Sequence, residues 1–132
     1  MSQYLIDTNI CIFFMKGLYN LQSKFQEAGN ENCIISEITL AELKFGVENS
    51  QQKERNSIAL DNFLTGVTII PIFSCFDIYA KEKARLRKLG QPVDDFDLLI
   101  GSTAVANDLI MVTNNAAHLG RVQGIRIEDW TK

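Results

Sequence analysis

Five short apolar runs, at residues 4–6, 33–35, 67–70, 109–112 and 125–127, punctuate the chain. Stretches with helical spacing of apolar residues separate them, and no two-residue hairpin turn joins any neighbouring pair. Short buried strands alternating with helices force crossover connections, and crossovers produce a parallel sheet covered on both faces. The reading is therefore a single three-layer α/β/α domain over residues 1–132, with a parallel sheet of four to five strands. The first strand runs into Asp7, and Thr8 or Asn9 caps the helix that follows. That helix covers residues 11–16 and breaks near Gly17. Leu18, Leu21 and Phe25 mark a second helix, which Gly29-Asn30 ends. Ser36 caps a helix over 37–47, and another spans 51–64. Ser74 caps one reaching Leu89 before Gly90, and Asp94 caps one reaching Asn107.

At 132 residues and 46% apolar, the chain can bury a core of its own. It has no run of about 18 apolar residues, so no membrane span is expected. Nor does a basic segment followed by a long apolar run open it, so no signal peptide is expected. Cys11, Cys33 and Cys75 are odd in number and sit in apolar surroundings. They read as buried free thiols of a cytoplasmic protein, and with one histidine and no Cys-x-x-Cys they argue against structural zinc. The net charge of −3 argues against a simple nucleic-acid binder, unless divalent cations neutralise clustered acids.

Three acids stand in awkward places. Asp7 follows a buried strand, and ligands of parallel sheets bind outside the carboxyl ends of strands. Glu42 shares a helical stripe with Ile38, Ala41 and Phe45, and Asp97 shares one with Ile100, Gly101 and Ala104. Carboxylates are rarely buried without a partner. Bases are scarce nearby: Lys44 lies beside Glu42, and none falls between Asp94 and Asn107. Two readings stay open. Each acid finds its own base or helix terminus, or all three converge on a hard cation such as Mg2+ or Mn2+.

The motifs Leu5-Ile6-Asp7-Thr8-Asn9, Ser36-Glu37-Ile38-Thr39-Leu40-Ala41-Glu42, Gly90-Gln91-Pro92-Val93 with Asp97-Leu98-Leu99-Ile100-Gly101, and Val112-Thr113-Asn114-Asn115 occur in this order. The chain closes with Gly124-Ile125-Arg126-Ile127-Glu128-Asp129-Trp130. Together they resemble the PIN-domain nucleases, and among them the VapC-type toxins of bacterial toxin–antitoxin pairs. The resemblance implies a Mg2+- or Mn2+-dependent endoribonuclease that cleaves structured RNA, such as transfer RNA, by water attack on a phosphodiester. It implies Asp7 and Asp97 as main metal ligands, with Glu42 as a further ligand or the base that holds and deprotonates a water. Asn9 and Thr113 orient water or phosphate, or serve only as cap and turn residues. A cognate antitoxin and a homodimer are implied as partners.

The chain departs from the family where a fourth acid often stands: Asn115 and His118 occupy the two candidate positions. His118 reads as a surface or packing residue. Asp94 and Asp95 also depart from the small or proline residues common there, which makes Asp95 a candidate substitute ligand. Lys81, Lys83, Arg85, Arg87 and Lys88 crowd one helix end, either as a solvated face or as contacts to RNA or antitoxin. Trp130 is expected to pack the C-terminus onto the body. The competing readings are a PIN-like module without chemistry and a receiver-like signalling domain. The receiver needs an acid after a middle strand, where residues 67–70 are followed by Pro71.

Overall fold

The computed structural model describes residues 2–132. Its elements are β1 (Tyr4–Ile6), α1 (Thr8–Met15), α2 (Leu21–Ala28), β2 (Cys33–Ser36), α3 (Glu37–Glu48), α4 (Lys53–Leu64), β3 (Thr68–Ile70), α5 (Phe76–Lys88), α6 (Asp95–Ala106), β4 (Ile110–Val112), α7 (Ala116–Leu119) and β5 (Ile127–Glu128). The five strands pair in the order β3-β2-β1-β4-β5, every pair parallel. The expected parallel α/β/α architecture is the one observed. The receiver-like order, 2-1-3-4-5, is not.

This order places a switch point beside β1. The chain builds outward through β2 and β3 on one side, then returns to add β4 and β5 on the other. Between β1 and β4, crossovers leave in opposite directions and open a crevice at the carboxyl ends of the strands. Ile6 pairs with Val112 at that end, and the Asp7 N–H continues the ladder to the Val112 carbonyl at 2.9 Å. Asp7 and Thr113 are the next residues on their chains.

Side chains alternate across the sheet with the strand period of two. Ile6, Cys33, Ile35 and Val112 face a core with α1, α2 and α4, which also holds Leu21, Phe25, Leu60 and Phe63. Leu5, Ile34 and Met111 face the opposite core with Ile100, Ala104 and Leu119 of α6 and α7. Trp130 closes the first core. Its ring meets Tyr4 and Phe25 edge-on at 5.1 and 5.6 Å, and its indole N–H donates to Glu128 Oε1 at 2.9 Å. Each such aromatic pair contributes about 1 kcal/mol beyond its buried area. All three cysteines are free and buried.

Several local expectations are corrected. α1 begins at Thr8 because Asp7, not Thr8 or Asn9, is its cap: Asp7 Oδ1 accepts the Thr8 N–H at 2.8 Å. Ser74 caps nothing. It lies inside a 3₁₀ turn, Phe73–Cys75, that leads into α5. Asp94 occupies the cap position of α6 without a side-chain bond to the helix. The last strand is Ile127–Glu128, two residues later than its apolar run begins. Ser36 does cap α3, its Oγ accepting the Thr39 N–H at 3.1 Å. Leu18 and Ile58, expected within amphipathic faces, are exposed.

Candidate active site

Asp7 is 4% exposed and sits in the crevice at the switch point. Its Oδ1 accepts from the Thr8 backbone and its Oδ2 accepts from the Thr113 hydroxyl at 2.7 Å. Burial pushes its carboxyl above the usual range. The Thr113 and Thr8 bonds pull it back in part, and the charge of Glu42 adds to the rise. A carboxylate in this condition has donors but no counter-charge.

Glu42 reaches the same place from α3. The Thr8 hydroxyl donates to Glu42 Oε1 at 2.6 Å and lies 3.1 Å from Thr39 Oγ1, which is fully buried beneath it. The stripe expected to carry Glu42 inward is not a buried one: Ala41 is exposed and Phe45 is 67% exposed. Glu42 turns toward Asp7 because Thr8 holds it. One residue, Thr8, thus binds both carboxylates, one through its N–H and one through its hydroxyl.

Asp97 is half-buried in the first turn of α6. Here the expected stripe holds, since Ile100, Gly101 and Ala104 are all buried. Gly101 lets α6 settle closely: a Cβ there would stand 3.1 Å from Leu119 Cδ2. Burial raises the Asp97 carboxyl above its usual range, as do the charges of Asp7 and Asp94, while His118 pulls it down. Asp7 thus lies within electrostatic reach of Glu42 on one side and of Asp97 on the other.

Among the described residues, none of the three is in an ion pair with Lys or Arg. Among the described residues the ion pairs are Lys53–Glu48, Lys83–Asp95, Arg85–Glu82 and Arg126–Asp108. Also among the described residues, no three His, Cys, Asp or Glu side chains stand close enough together to hold a metal ion by themselves. What the site offers is an open, all-oxygen set with excess negative charge. That chemistry fits a hard divalent cation that keeps several of its waters.

The remaining residues sort by what they touch. Asn9 is exposed in the first turn of α1. Thr113 is fully buried against Asp7, and its Oγ1 accepts the Asn115 N–H at 2.9 Å. Asn115 Oδ1 lies 2.8 Å from His118 Nδ1. Asp95 is not free: it is paired with Lys83 at 2.8 Å and accepts the Tyr79 hydroxyl at 2.9 Å. Of the basic cluster, Lys81, Arg87 and Lys88 are exposed and outside those ion pairs. Arg85 forks onto Glu82 and also donates to the Arg121 carbonyl at 2.7 Å. Glu82 Oε1 accepts the Gln123 N–H, so the buried Glu82 and the partly exposed Arg85 tie α5 to the loop before β5.

Sequence reasoning did not single out Thr39, the grip of Thr8 on Glu42, the Glu82–Arg85 clamp or the orientation of His118 toward the acids. Helical spacing carried a signal for two of them. Thr39 precedes Glu42 by three residues, and Glu82 precedes Arg85 by three.

A parallel sheet in the order β3-β2-β1-β4-β5, covered by helices and carrying a buried acid at its switch point, defines a class of α/β proteins. The PIN domain family model matches residues 4–124. The chain belongs to the PIN domain family and, within it, to the VapC group. It is 35% identical to the tRNA(fMet)-specific endonuclease VapC of Shigella flexneri, over 99% of this chain and 100% of that protein. It is 36% identical to Ribonuclease VapC2 of Rickettsia felis, over 98% of each. The crystal structure of DNA-bound VapBC from Salmonella typhimurium superposes with a TM-score of 0.92 at 33% identity, covering 98% of this chain and 99% of that one.

Proposed function

We propose that this protein is an endoribonuclease, the toxin of a type II toxin–antitoxin pair, that uses Mg2+ or Mn2+ to cut structured RNA. The observation that supports this reading is that Glu42 acts on Asp7 and Asp7 on Asp97 by charge at the switch point of the sheet, while none of the three is in an ion pair among the described residues. Unpaired carboxylates this close destabilise a fold unless a cation or a substrate-bound cation joins them. The VapC relatives, named as ribonucleases, support the reaction class. The name of the Shigella relative supports transfer RNA as the substrate to try first.

Asp7 and Asp97 would hold the ion, oriented by Thr113 and by the first turn of α6. When bound, the cation neutralises the phosphate and makes a water easier to deprotonate. Glu42, fixed by the Thr8 hydroxyl, takes the proton of the attacking water. Asn9 lies exposed one residue beyond Thr8 and contacts the phosphate from outside. Lys81, Arg87 and Lys88 neutralise RNA phosphates farther out, which makes binding salt-dependent. Asp95 and Arg85 take no part, because each is committed to a structural pair.

The partners we assign are a cognate antitoxin and a second copy of the chain. A groove of about 390 Å³ supports the first, lined by Ile12, Met15, Leu43, Val47 and Leu60 with Glu42 and Lys16 at its wall. An apolar segment fits it and passes beside Glu42. No helix among the described residues is long and apolar enough to cross a membrane. The free buried thiols support a cytoplasmic setting.

The test is incubation of end-labelled transfer RNA with the purified protein, with and without divalent cation. The expected result is discrete cleavage that chelation abolishes and Asp7→Asn loses while staying folded. Cleavage that survives chelation overturns the metal assignment, and intact RNA under every cation overturns the nuclease.

A further inference from the structure

Three hydrogen bonds run outward from Asp7. Thr113 Oγ1 donates to Asp7 Oδ2, the Asn115 N–H donates to Thr113 Oγ1, and Asn115 Oδ1 meets His118 Nδ1 at 2.8 Å. The ring of His118 is thereby tied to the acid site and not merely present on α7. An amide oxygen carries only lone pairs, so the proton of the neutral imidazole sits on Nδ1. The lone pair is then on Nε2, which makes no hydrogen bond among the described residues. An imidazole that gives one N–H to a fixed oxygen and keeps the other nitrogen bare is in the state in which histidine binds metals. The ring also lies near the acids, since in its protonated form its charge lowers the Asp97 carboxyl.

We propose that His118, through Nε2, is a nitrogen donor to the divalent ion of this site and shifts its preference from Mg2+ toward Mn2+. The inference rests on the acid site proposed above. Imidazole adds little for Mg2+, which favours oxygen and holds its waters, and more for transition ions. Asn115 then acts as a positioning residue that holds the ring rather than as a ligand. His118 is the only histidine in the chain, so any imidazole nitrogen coupled to a bound ion belongs to it.

The experiment uses the whole protein loaded with Mn2+ at pH 8. Free Mn2+ is counted by its electron paramagnetic resonance signal, and pulsed spectra are read for nitrogen coupling. We expect coupling in the wild type and none in His118→Ala. That variant loses about tenfold or more in Mn2+ affinity and far less in Mg2+ affinity. Because His118 is exposed, the variant folds, which circular dichroism checks. His118→Asp restores an all-oxygen set and moves the Mg2+ to Mn2+ affinity ratio upward by about tenfold. Mn2+ that binds in an Asp97-dependent manner without nitrogen coupling overturns the role of His118 and leaves the acid site standing. Mn2+ binding that is absent, or indifferent to Asp7→Asn and Asp97→Asn, overturns both.

Discussion

Replacing Thr113 by valine removes one oxygen and almost no volume, which isolates the bond that steadies Asp7. Thr113 is fully buried, so water does not take the place of its hydroxyl. The lost bond to Asp7 Oδ2, 2.7 Å long and made to a carboxylate, is worth about 1.5–3 kcal/mol. The Asn115 N–H loses its acceptor as well, for roughly another 1 kcal/mol. Thr113→Val is therefore expected to cost about 3 kcal/mol, or on the order of 10 °C in melting temperature for a chain of this length. The sign of the pH dependence follows from Asp7. The Thr113 bond lowers its carboxyl, so the variant raises it further above the unfolded value. An acid with a raised folded value is penalised while charged, so the loss is largest at neutral pH and shrinks as pH falls through the raised range. Thr113→Ser keeps both bonds and costs about 1 kcal/mol, the missing methyl. The assay is denaturant unfolding of the three proteins at pH 7.5 and pH 5. A valine variant within about 0.5 kcal/mol of the wild type at pH 7.5 refutes the reasoning, because the bond then contributes nothing.

Thr8→Val unties Glu42 from its 2.6 Å donor and is expected to slow RNA cleavage by about tenfold or more, while Thr8→Ser keeps most activity; equal rates for valine and serine remove Thr8 from the site. Divalent-ion affinity is expected to fall as pH drops through the raised ranges of Asp7 and Asp97, with protons released on binding, which calorimetry in buffers of different ionisation enthalpy measures. Asp7→Asn leaves a folded protein that gains stability relative to the wild type as pH rises from acid to neutral, because the penalised charge is gone; melting curves across pH check the direction. Glu82 behaves oppositely. Arg85 holds its carboxyl below the ordinary value, so the clamp stabilises above about pH 4.5 and is lost as pH falls further; Glu82→Gln removes that acid limb and costs about 2 kcal/mol at neutral pH.

Most of the architecture was legible because it rests on burial. Each apolar run became a strand, as the period of two and the lack of hairpin turns require. The weakest was the last, where only Ile127–Glu128 pairs with β4 while Ile125 packs against Gly101. Asp7 was legible as a site residue but its second task was not. Its short side chain caps α1 while it lines the crevice, so the helix starts three residues earlier than its apolar spacing indicates. Glu42 was identified through a stripe that proves exposed at Ala41 and Phe45. What orients it is a hydroxyl 34 residues away, a contact between elements that no local pattern encodes. For Lys83 and Arg85 the sequence displayed charge without its partners. Asp95 stands 12 residues from Lys83, and the loop that Arg85 grips stands 36 residues on. Only the packing of α5 against α6 and that loop separates these two from the exposed Lys81, Arg87 and Lys88.

The central claim is that Asp7, Glu42 and Asp97 act together on one cation. Asp97→Asn tests it most directly, because among the described residues the Asp97 side chain is in no hydrogen bond or ion pair, so the fold is expected to survive its loss. Cleavage of labelled transfer RNA is measured alongside Mn2+ binding for the wild type and this variant. The account predicts that the variant melts at or above the wild-type temperature, binds Mn2+ at least about tenfold more weakly, and cuts no RNA above background. A folded Asp97→Asn protein that binds Mn2+ and cleaves RNA at the wild-type level contradicts it.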